Sequence, residues 1–269
     1  MKVVVYGSSG FIGSHLTERL KQLNHEVIEA HHDKPFIPTE ADYIFYLSSY
    51  GNHYTQNDKY QTIKANILDL YSLLKSTRNI PYKAFIHFST SSVILPVQTL
   101  YSDSKFVAEL ICKRFARKYN KNVLSVRPYS VYGPGEAKFR FIPTAMQRVK
   151  EGKLLKLTQG YHDWIYIDDF IDALISVMTN ADMFIGKSVS IGTGLQYSNF
   201  EVVTILEEII KKKANWKYSS DVKRIYDNNH WVSDNTLVSL TGWKPSTGIT
   251  KGLMKCCLTA FEGETEVDE

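Results

Sequence analysis

The chain has 269 residues, and its 32 Lys and Arg against 28 Asp and Glu give a formal net charge of +4 at pH 7. Hydrophobic residues make up 43% and charged residues 22%, an ordinary globular composition that excludes disorder, collagen and coiled coil as the main architecture. The charge is too small to indicate a nucleic acid partner, and no apolar run approaches the roughly 18–20 residues that span a bilayer. Three cysteines and no signal-peptide pattern predict a cytoplasmic protein without a disulfide framework.

The first half of the chain alternates between strand and helix patterns. Continuous apolar runs, as in strands covered on both faces, predict strands at 3–6, 27–28, 43–47, 84–88 and 122–126. Apolar residues at helical spacing predict helices at 11–23 and 101–119, and a third helix whose apolar stripe is Ile63, Ile67, Leu70 and Leu74. This alternation predicts an α/β fold, a Rossmann-like doubly wound parallel sheet with a smaller C-terminal lobe.

The pattern is looser beyond residue 130. It predicts helices at 139–150, 168–178 and 200–213 and short strands at 165–167 and 189–191. Lys211, Lys212 and Lys213 are expected to be solvated lysines at the end of the last of these helices, where the helix dipole favours positive charge.

A glycine-rich turn connects the first strand to the first helix. Gly7, Gly10 and Gly13 have the spacing of a dinucleotide-binding turn, in which the glycines allow a tight bend, close approach of a pyrophosphate and close packing of the helix on the sheet. The predicted contacts of the cofactor in this turn are Gly7, Ser9, Gly10, Phe11, Ile12 and Gly13.

The end of the second strand is where such folds bind the adenosine ribose, often through a carboxylate. In this chain the predicted contact is His31, which tolerates a 2′-phosphate better than a carboxylate does, so the sequence favours NADP over NAD. Glu29 and Asp33 remain alternatives that could reach the ribose. No group of His, Cys and Asp residues has the spacing of metal ligands, and we predict no metal.

Tyr101 and Lys105 are predicted to share one face at the start of a helix, because they are four residues apart. A nearby ammonium favours the phenolate, which allows the tyrosine to exchange a proton with a sugar hydroxyl or carbonyl. The strand before this helix ends in hydroxyl residues, where parallel sheets bind ligands. We predict Thr90 as the residue that holds the substrate oxygen, with Ser89 and Ser91 as alternatives.

These motifs and several others resemble the extended short-chain dehydrogenase/reductase family, in its epimerase/dehydratase branch, which modifies nucleotide-linked sugars. The other matching segments are 42–49, Asn66, Ser89-Thr90, 127–135, 163–169, 191–194 and 242–245. The resemblance implies a dinucleotide-binding domain at 1–130 plus about 164–195, and a substrate lobe at 131–163 and 196–269. It also implies that Tyr101 and Lys105 touch the cofactor, together with Leu47, Ser48, Ser49, Asn66, Pro128, Ser130 and Val131. Many members form homodimers through the helix that begins near Tyr101, so a homodimer is expected.

Departures from the family pattern narrow the expected reaction. Dehydratase members carry acidic residues directly after the threonine, where this chain has Ser91 and Ser92, so elimination of water is disfavoured. The arginine that usually contacts the diphosphate is replaced by His162, and Arg140, Lys138, Lys153 and Arg148 could each substitute for it. We predict His162 and Arg140 as substrate contacts.

Two features are most similar to the 4-keto-reductases of this family: the short length of the interval from Thr90 to Tyr101, and the segment that begins at Tyr50. We also predict that Tyr50 and Ser91 contact the substrate. The first prediction is therefore reduction of a 4-keto nucleotide sugar. The alternatives are a nucleotide-sugar 4-epimerase with tightly bound NAD and a non-catalytic cofactor-binding protein.

Overall fold

The computed structural model describes residues 1–31, 36–53, 55–219 and 228–261. The strands are β1 (Lys2–Tyr6), β2 (Glu26–Ala30), β3 (Tyr43–Tyr46), β4 (Ala84–Phe88), β5 (Val123–Pro128), β6 (Ser130–Tyr132), β7 (Leu155–Leu157), β8 (Tyr161–His162), β9 (Trp164–Tyr166), β10 (Ser188–Ile191), β11 (Tyr197–Ser198) and β12 (Trp216–Tyr218). The α-helices are α1 (Phe11–Gln22), α2 (Lys59–Ile63), α3 (Asp69–Thr77), α4 (Leu100–Tyr119), α5 (Phe141–Glu151), α6 (Ile167–Thr179), α7 (Asn199–Ile210), α8 (Thr236–Ser239) and α9 (Ile249–Phe261).

A six-stranded parallel sheet is the centre of the first of two compact units. Its strand order is β10-β5-β4-β3-β1-β2, and the order reverses between β1 and β3. Val3, Val4 and Val5 of β1 are fully buried, as the continuous apolar run predicts. The Rossmann-like parallel sheet predicted from the sequence is therefore confirmed. The described residues between β2 and β3 contain no helix, in agreement with the short sequence there.

The chain passes between the two units more than once. The first unit consists of Met1–Pro128, Ile171–Ile191 and Asp234–Trp243, and the second consists of Tyr129–Phe170, Gly192–Ser233 and Lys244–Glu269. The assignment of cofactor binding to one part of the chain and substrate binding to the other stays a prediction.

Two buried carboxylates connect distant segments of the second unit, whose described strands form small sheets. Its strands form the two-stranded pairs β6-β9, β8-β11 and β7-β12. Asp163 is fully buried and accepts hydrogen bonds from the backbone N–H and hydroxyl of Thr193 (both 2.7 Å), from the N–H of Gly194 (2.9 Å), and from the N–H and hydroxyl of Ser233 (3.0 and 2.6 Å). Asp169 similarly accepts bonds from Ser246 and Thr247. Each carboxylate therefore joins segments that are distant in sequence.

The predicted apolar stripe of the helix after β3 is wrong at its beginning. A π-helical turn, Lys64–Leu68, separates α2 from α3 and rotates the residues before it, so that Ile63 is 39% exposed while Leu70 and Leu74 are buried. Thr62 and Asn66 point inward instead. The Tyr46 hydroxyl donates to the carbonyl of Ala65 in this turn, at 2.9 Å.

The helix predicted at 200–213 is shorter than expected. It ends at Ile210 because Lys211 adopts a left-handed backbone conformation, with φ of 59°. The three lysines therefore follow the helix and do not form its last turn. Within the described residues, none of the helices has the length and hydropathy that crossing a bilayer requires.

Candidate active site

The glycine turn after β1 has the geometry that its spacing predicts. Gly7 has φ of +84°, and a Cβ at Gly13 would lie only 2.0 Å from the Gly7 carbonyl oxygen, so a side chain there would force α1 away from the strand. A Cβ at Gly10 would meet nothing closer than 3.4 Å. Gly10 is the N-cap of α1, no side chain caps it, and the first turn carries no acidic residue.

These features fit a dinucleotide pyrophosphate. The first backbone N–H groups of a helix have no partner within it, and their positive dipole end attracts phosphate. Ser9, Phe11 and Ile12 lie in or beside this turn, and their contact with a cofactor stays a prediction.

The loop after β3 lies next to the glycine turn. The Leu47 N–H donates to the Tyr6 carbonyl at 2.9 Å, and a Cβ at Gly7 would come within 2.9 Å of the Ser48 nitrogen. Leu47, Ser48 and Ser49 are therefore placed at the carboxyl edge of the sheet beside the glycine turn, where a cofactor crosses such a sheet.

The proposed selector of the adenosine ribose, His31, is exposed and follows β2 directly. Glu29 pairs with Lys21 at 2.7 Å, and this hydrogen bond lowers the pKa of the Glu29 carboxyl. The alternative at Asp33 lies outside the described residues. Among the described residues at the tip of β2, His31 is therefore exposed, whereas Glu29 is engaged by Lys21.

Asn66, predicted as a cofactor contact, is fully buried in the π-helical turn. Its side-chain N–H groups donate to the Tyr50 carbonyl (2.8 Å) and the Ser104 hydroxyl (2.9 Å), and its oxygen accepts from the Tyr50 N–H (3.0 Å). Ser104 in turn donates to the carbonyl of Tyr101 at 2.7 Å. Asn66 therefore fixes the loop carrying Tyr50 and connects it to the helix that carries Tyr101.

Thr90 lies two residues beyond the end of β4. Its hydroxyl accepts from the Ser92 N–H at 3.2 Å and is 3.0 Å from the Ser92 hydroxyl, so it caps a short 3-10 turn, Ser91–Ile94. Thr90 is partly exposed, whereas its rivals Ser89 and Ser91 are each 3% exposed. Thr90 is thus the most accessible of the three hydroxyls considered.

Tyr101 and Lys105 lie on the first turns of α4, four residues apart as predicted. A capping box of Thr99 and Ser102 starts this helix. Lys105 is 1% exposed, and its ammonium donates to the carbonyl of Phe88, the last residue of β4, at 2.7 Å. Burial lowers the pKa of Lys105 to about 7. The bond to Phe88 brings the lysine to the strand end that precedes Thr90.

Ser104 and Gly51 also contribute to this arrangement, although they were not among the residues predicted from the sequence. A Cβ at Gly51, which has φ of +99°, would be 3.5 Å from the Tyr101 ring and 3.1 Å from Thr62. Ser104 could have been found from the sequence, since it lies within the Tyr-x-x-x-Lys segment. Gly51 gave no comparable indication, because its role depends on how the loop is folded.

A profile of the NAD dependent epimerase/dehydratase family matches residues 3–192. The chain belongs to this family. The match covers the glycine turn, Thr90 and the Tyr101–Lys105 pair, which are the residues that the structure places around the end of β4 and the start of α1.

One relative of this chain is YtcB of Bacillus subtilis (strain 168), which is described as an uncharacterized UDP-glucose epimerase. The two sequences are 26% identical over 310 aligned positions, which cover 94% of this chain and 96% of the relative. The solved structure of UDP-glucuronic acid 4-epimerase from Bacillus cereus with UDP-glucuronic acid and NAD has a TM-score of 0.85 at 22% identity, covering 96% and 98%. RMD from Pseudomonas aeruginosa complexed with NADPH has a TM-score of 0.82 at 20% identity, covering 98% and 99%. The two solved structures support the fold, and their bound cofactors leave NAD and NADP both open.

The other predicted contacts of this family member belong mostly to the second unit. Pro128 is the last residue of β5, while Ser130 and Val131 are in β6. Arg140 is the N-cap of α5. The ring of His162 lies 5.2 Å from that of Trp164 and 5.0 Å from that of Trp231, and the side chain is buried among these aromatic rings. Their roles toward a substrate stay predictions, as does the homodimer expected through α4, whose Phe106, Val107 and Leu110 are exposed.

Proposed function

We propose that this family member changes the configuration at C4 of a nucleotide-linked sugar by NAD(P)-dependent oxidation and reduction, as a 4-epimerase. The proposal rests on the placement of Tyr101 and Lys105 on one face of α4. The lysine donates a hydrogen bond to the end of β4, just before Thr90. The glycine turn beside them fits a dinucleotide.

Each of the three side chains has a distinct task. Tyr101 accepts the proton of the C4 hydroxyl on oxidation and returns it on reduction. Lys105 favours the phenolate through its positive charge. Thr90 holds the substrate oxygen. When bound, the nicotinamide cofactor accepts and returns the hydride, so the sugar is neither oxidised nor reduced overall.

The residues after Thr90 argue against elimination of water. Ser91 is buried, and the Ser92 hydroxyl interacts with Thr90. Neither residue carries a carboxyl group, which dehydration would require as an acid and base. A dehydratase activity is therefore not part of the proposal.

The relatives named above favour epimerisation over the 4-keto reduction that the sequence predicts first. Reduction remains the second candidate for two reasons. Only 11 positions separate Thr90 from Tyr101 (101 − 90 = 11), and one similar structure contains NADPH. In a reductase Tyr101 would protonate the new C4 oxygen, and external NADPH would be consumed.

The two candidates are separated by supplying different substrates to the purified full chain. We expect UDP-glucose or UDP-glucuronic acid to be converted to its C4 epimer, detected by NMR, without added cofactor or net oxidation of NADPH. Conversion of a 4-keto nucleotide sugar at the expense of added NADPH, with no epimer formed, would favour the reductase. No reaction of either kind would contradict both candidates and leave a non-catalytic cofactor-binding protein.

The choice between NAD and NADP is predicted to depend on His31. His31→Asp introduces a carboxylate at the tip of β2, which repels a 2′-phosphate and can bind the ribose hydroxyls of NAD. We expect the ratio of the Kd for NADP to the Kd for NAD to rise by about tenfold, the effect of roughly 1.4 kcal/mol. Fluorescence titration with NADPH and NADH measures this ratio. The matched control is His25→Asp, which makes the same change directly before β2, at the opposite end of the strand from His31. An unchanged ratio in His31→Asp would refute the role of His31.

A further inference from the structure

A partly open cavity of about 210 Å³ lies within the second unit, and no described residue that we predict to contact the cofactor or the substrate lines it. Its walls are the turn 133–136 after β6, the first turns of α5 and the last turn of α9. Most of the lining is apolar, and Ile142, Met146 and Ala260 belong to it. An apolar cavity of about 150 Å³ can hold benzene, so this one has room for a ligand of about six non-hydrogen atoms.

The lining includes the carboxyl group of Glu136, which is carried by a tight turn. The Glu136 N–H donates to the Gly133 carbonyl at 3.2 Å and closes the turn. Gly133 packs directly on Ile167, the first residue of α6, since a Cβ on this glycine would lie 2.4 Å from the Ile167 side chain. The backbone that presents Glu136 to the cavity is therefore held in place by its own hydrogen bond and by close packing.

This carboxyl group has an oxygen atom that the protein does not use. The Oε2 of Glu136 is buried and has no hydrogen-bond partner within the described residues. Its neighbours in the lining are poor donors, because the Thr259 hydroxyl donates to the Lys255 carbonyl at 3.1 Å and the Cys256 thiol is a weak donor. Leaving a buried polar atom without a partner costs free energy, so a donor supplied by a ligand would be stabilising.

The electrostatics of Glu136 favour a cationic ligand. Burial raises the pKa of Glu136 to about 8, although the positive charge of Arg140 lowers it. On the α9 side of the cavity, burial raises the pKa of the Cys256 thiol to about 12, so this group is neutral. Without a ligand the carboxyl group therefore keeps its proton at neutral pH. A cation beside it would favour the carboxylate, whereas an anion would oppose its ionisation.

We propose that this cavity binds a small organic ammonium ion, whose N–H groups donate to the Glu136 carboxylate and whose hydrocarbon part packs on Ile142 and Met146. Hydrogen bonds between an ammonium group and a carboxylate are about twice as strong as those between neutral groups. A metal ion does not fit this lining, because Mg²⁺ and Ca²⁺ require about six or more oxygen ligands. Within the part of the chain that the structure describes, no group of three or more His, Cys, Asp and Glu could hold a metal.

The test is a titration of the full chain with n-butylammonium, without substrate or cofactor, followed by two-dimensional ¹⁵N NMR. We expect the signals of residues 133–136 and of the last turn of α9 to shift with a Kd of about 1–10 mM at pH 8. 1-Butanol and butyrate have the same carbon skeleton without the positive charge, and they should bind at least about tenfold more weakly. Between pH 8 and pH 6.5 the Kd for butylammonium should rise about tenfold, because Glu136 gains a proton.

Three variants show whether Glu136 is the group that binds the ligand. Glu136→Gln keeps the size of the side chain but removes its charge, so the Kd should rise at least about tenfold and should no longer depend on pH. Glu208→Gln makes the same change at an exposed position of α7 and should bind like the wild type. Ala260→Leu narrows the cavity without altering the carboxyl group, so it should also weaken binding, and it tests the site even if Glu136→Gln does not fold.

Two results would overturn the inference: no shift of residues 133–136 at about 50 mM butylammonium, or the same Kd for the wild type and a folded Glu136→Gln. If Glu136→Gln does not fold, an unchanged Kd in Ala260→Leu has the same meaning. These titrations measure binding alone, so their outcome does not depend on whether the protein converts a nucleotide sugar.

Discussion

Tyr101→Phe is expected to lower kcat by about two to four orders of magnitude, because it removes the hydroxyl that exchanges a proton with the sugar oxygen. The ring remains, so its contact with the loop at Gly51 is preserved. Binding of the nicotinamide cofactor, measured by fluorescence titration, should change less than threefold. The rate is measured under the conditions that establish epimerisation or reduction in the wild type.

The matched control for this prediction is Tyr60→Phe. Tyr60 is in α2 and is 66% exposed, so loss of its hydroxyl should leave kcat unchanged. If Tyr101→Phe turned over substrate at the wild-type rate, the catalytic assignment would be wrong even if the cofactor bound normally. A loss of both activity and cofactor binding would indicate a disturbed fold if the melting temperature also falls, and a direct contact of the Tyr101 hydroxyl with the cofactor if it does not.

Asp163→Asn is expected to destabilise the protein by about 3 to 5 kcal/mol. Both oxygens of this buried carboxylate are occupied by five donors from Thr193, Gly194 and Ser233. In the asparagine variant an NH₂ group replaces one of the oxygens. This group is itself a donor, so it cannot accept the hydrogen bonds that the oxygen accepted. Hydrogen bonds to charged groups contribute about 1.5 to 3 kcal/mol each. A decrease in melting temperature of roughly 6–15 °C, measured by calorimetry, corresponds to this loss.

Asp168→Asn provides the matched control, because it makes the same chemical change at an exposed position. Asp168 has a side chain that is 57% exposed and pairs with Lys255 at 3.4 Å. Exposed pairs of this kind contribute at most about 1 kcal/mol, so a small change is expected. Equal melting temperatures for the two variants would show that the network around Asp163 does not stabilise the fold.

The strands and most helices of the first unit could be predicted because their signals are local. A short, β-branched apolar run such as 3–6 that ends at a glycine indicates a strand buried on both faces, and the glycines after it fix the turn. The π-helical turn could not be predicted, since it depends on Asn66 being held by Tyr50 and Ser104 from other parts of the chain. Periodicity assumes an uninterrupted helix and therefore placed Ile63 in the core.

In the candidate site, too, local sequence patterns predict some features and miss others. Tyr101 and Lys105 follow from spacing within a single helix, and the hydroxyls at 89–91 follow from their position after a strand. The bond from Lys105 to the Phe88 carbonyl follows from the packing of α4 beside the end of β4. Such contacts join residues that are distant in sequence, and no local pattern contains them.

The position of β10 beside β5 has a consequence for synthesis of the protein. The edge of β5 is covered only when residues 188–191 pair with it, after the chain has passed through Tyr129–Phe170 of the second unit. During translation the six-residue β5 therefore forms this edge of the sheet, with unpaired N–H and C=O groups that can pair with other chains, whereas in the finished sheet the edge is the four-residue β10. Nascent chains shorter than about 190 residues are therefore the stage at which the edge of β5 can pair with another chain.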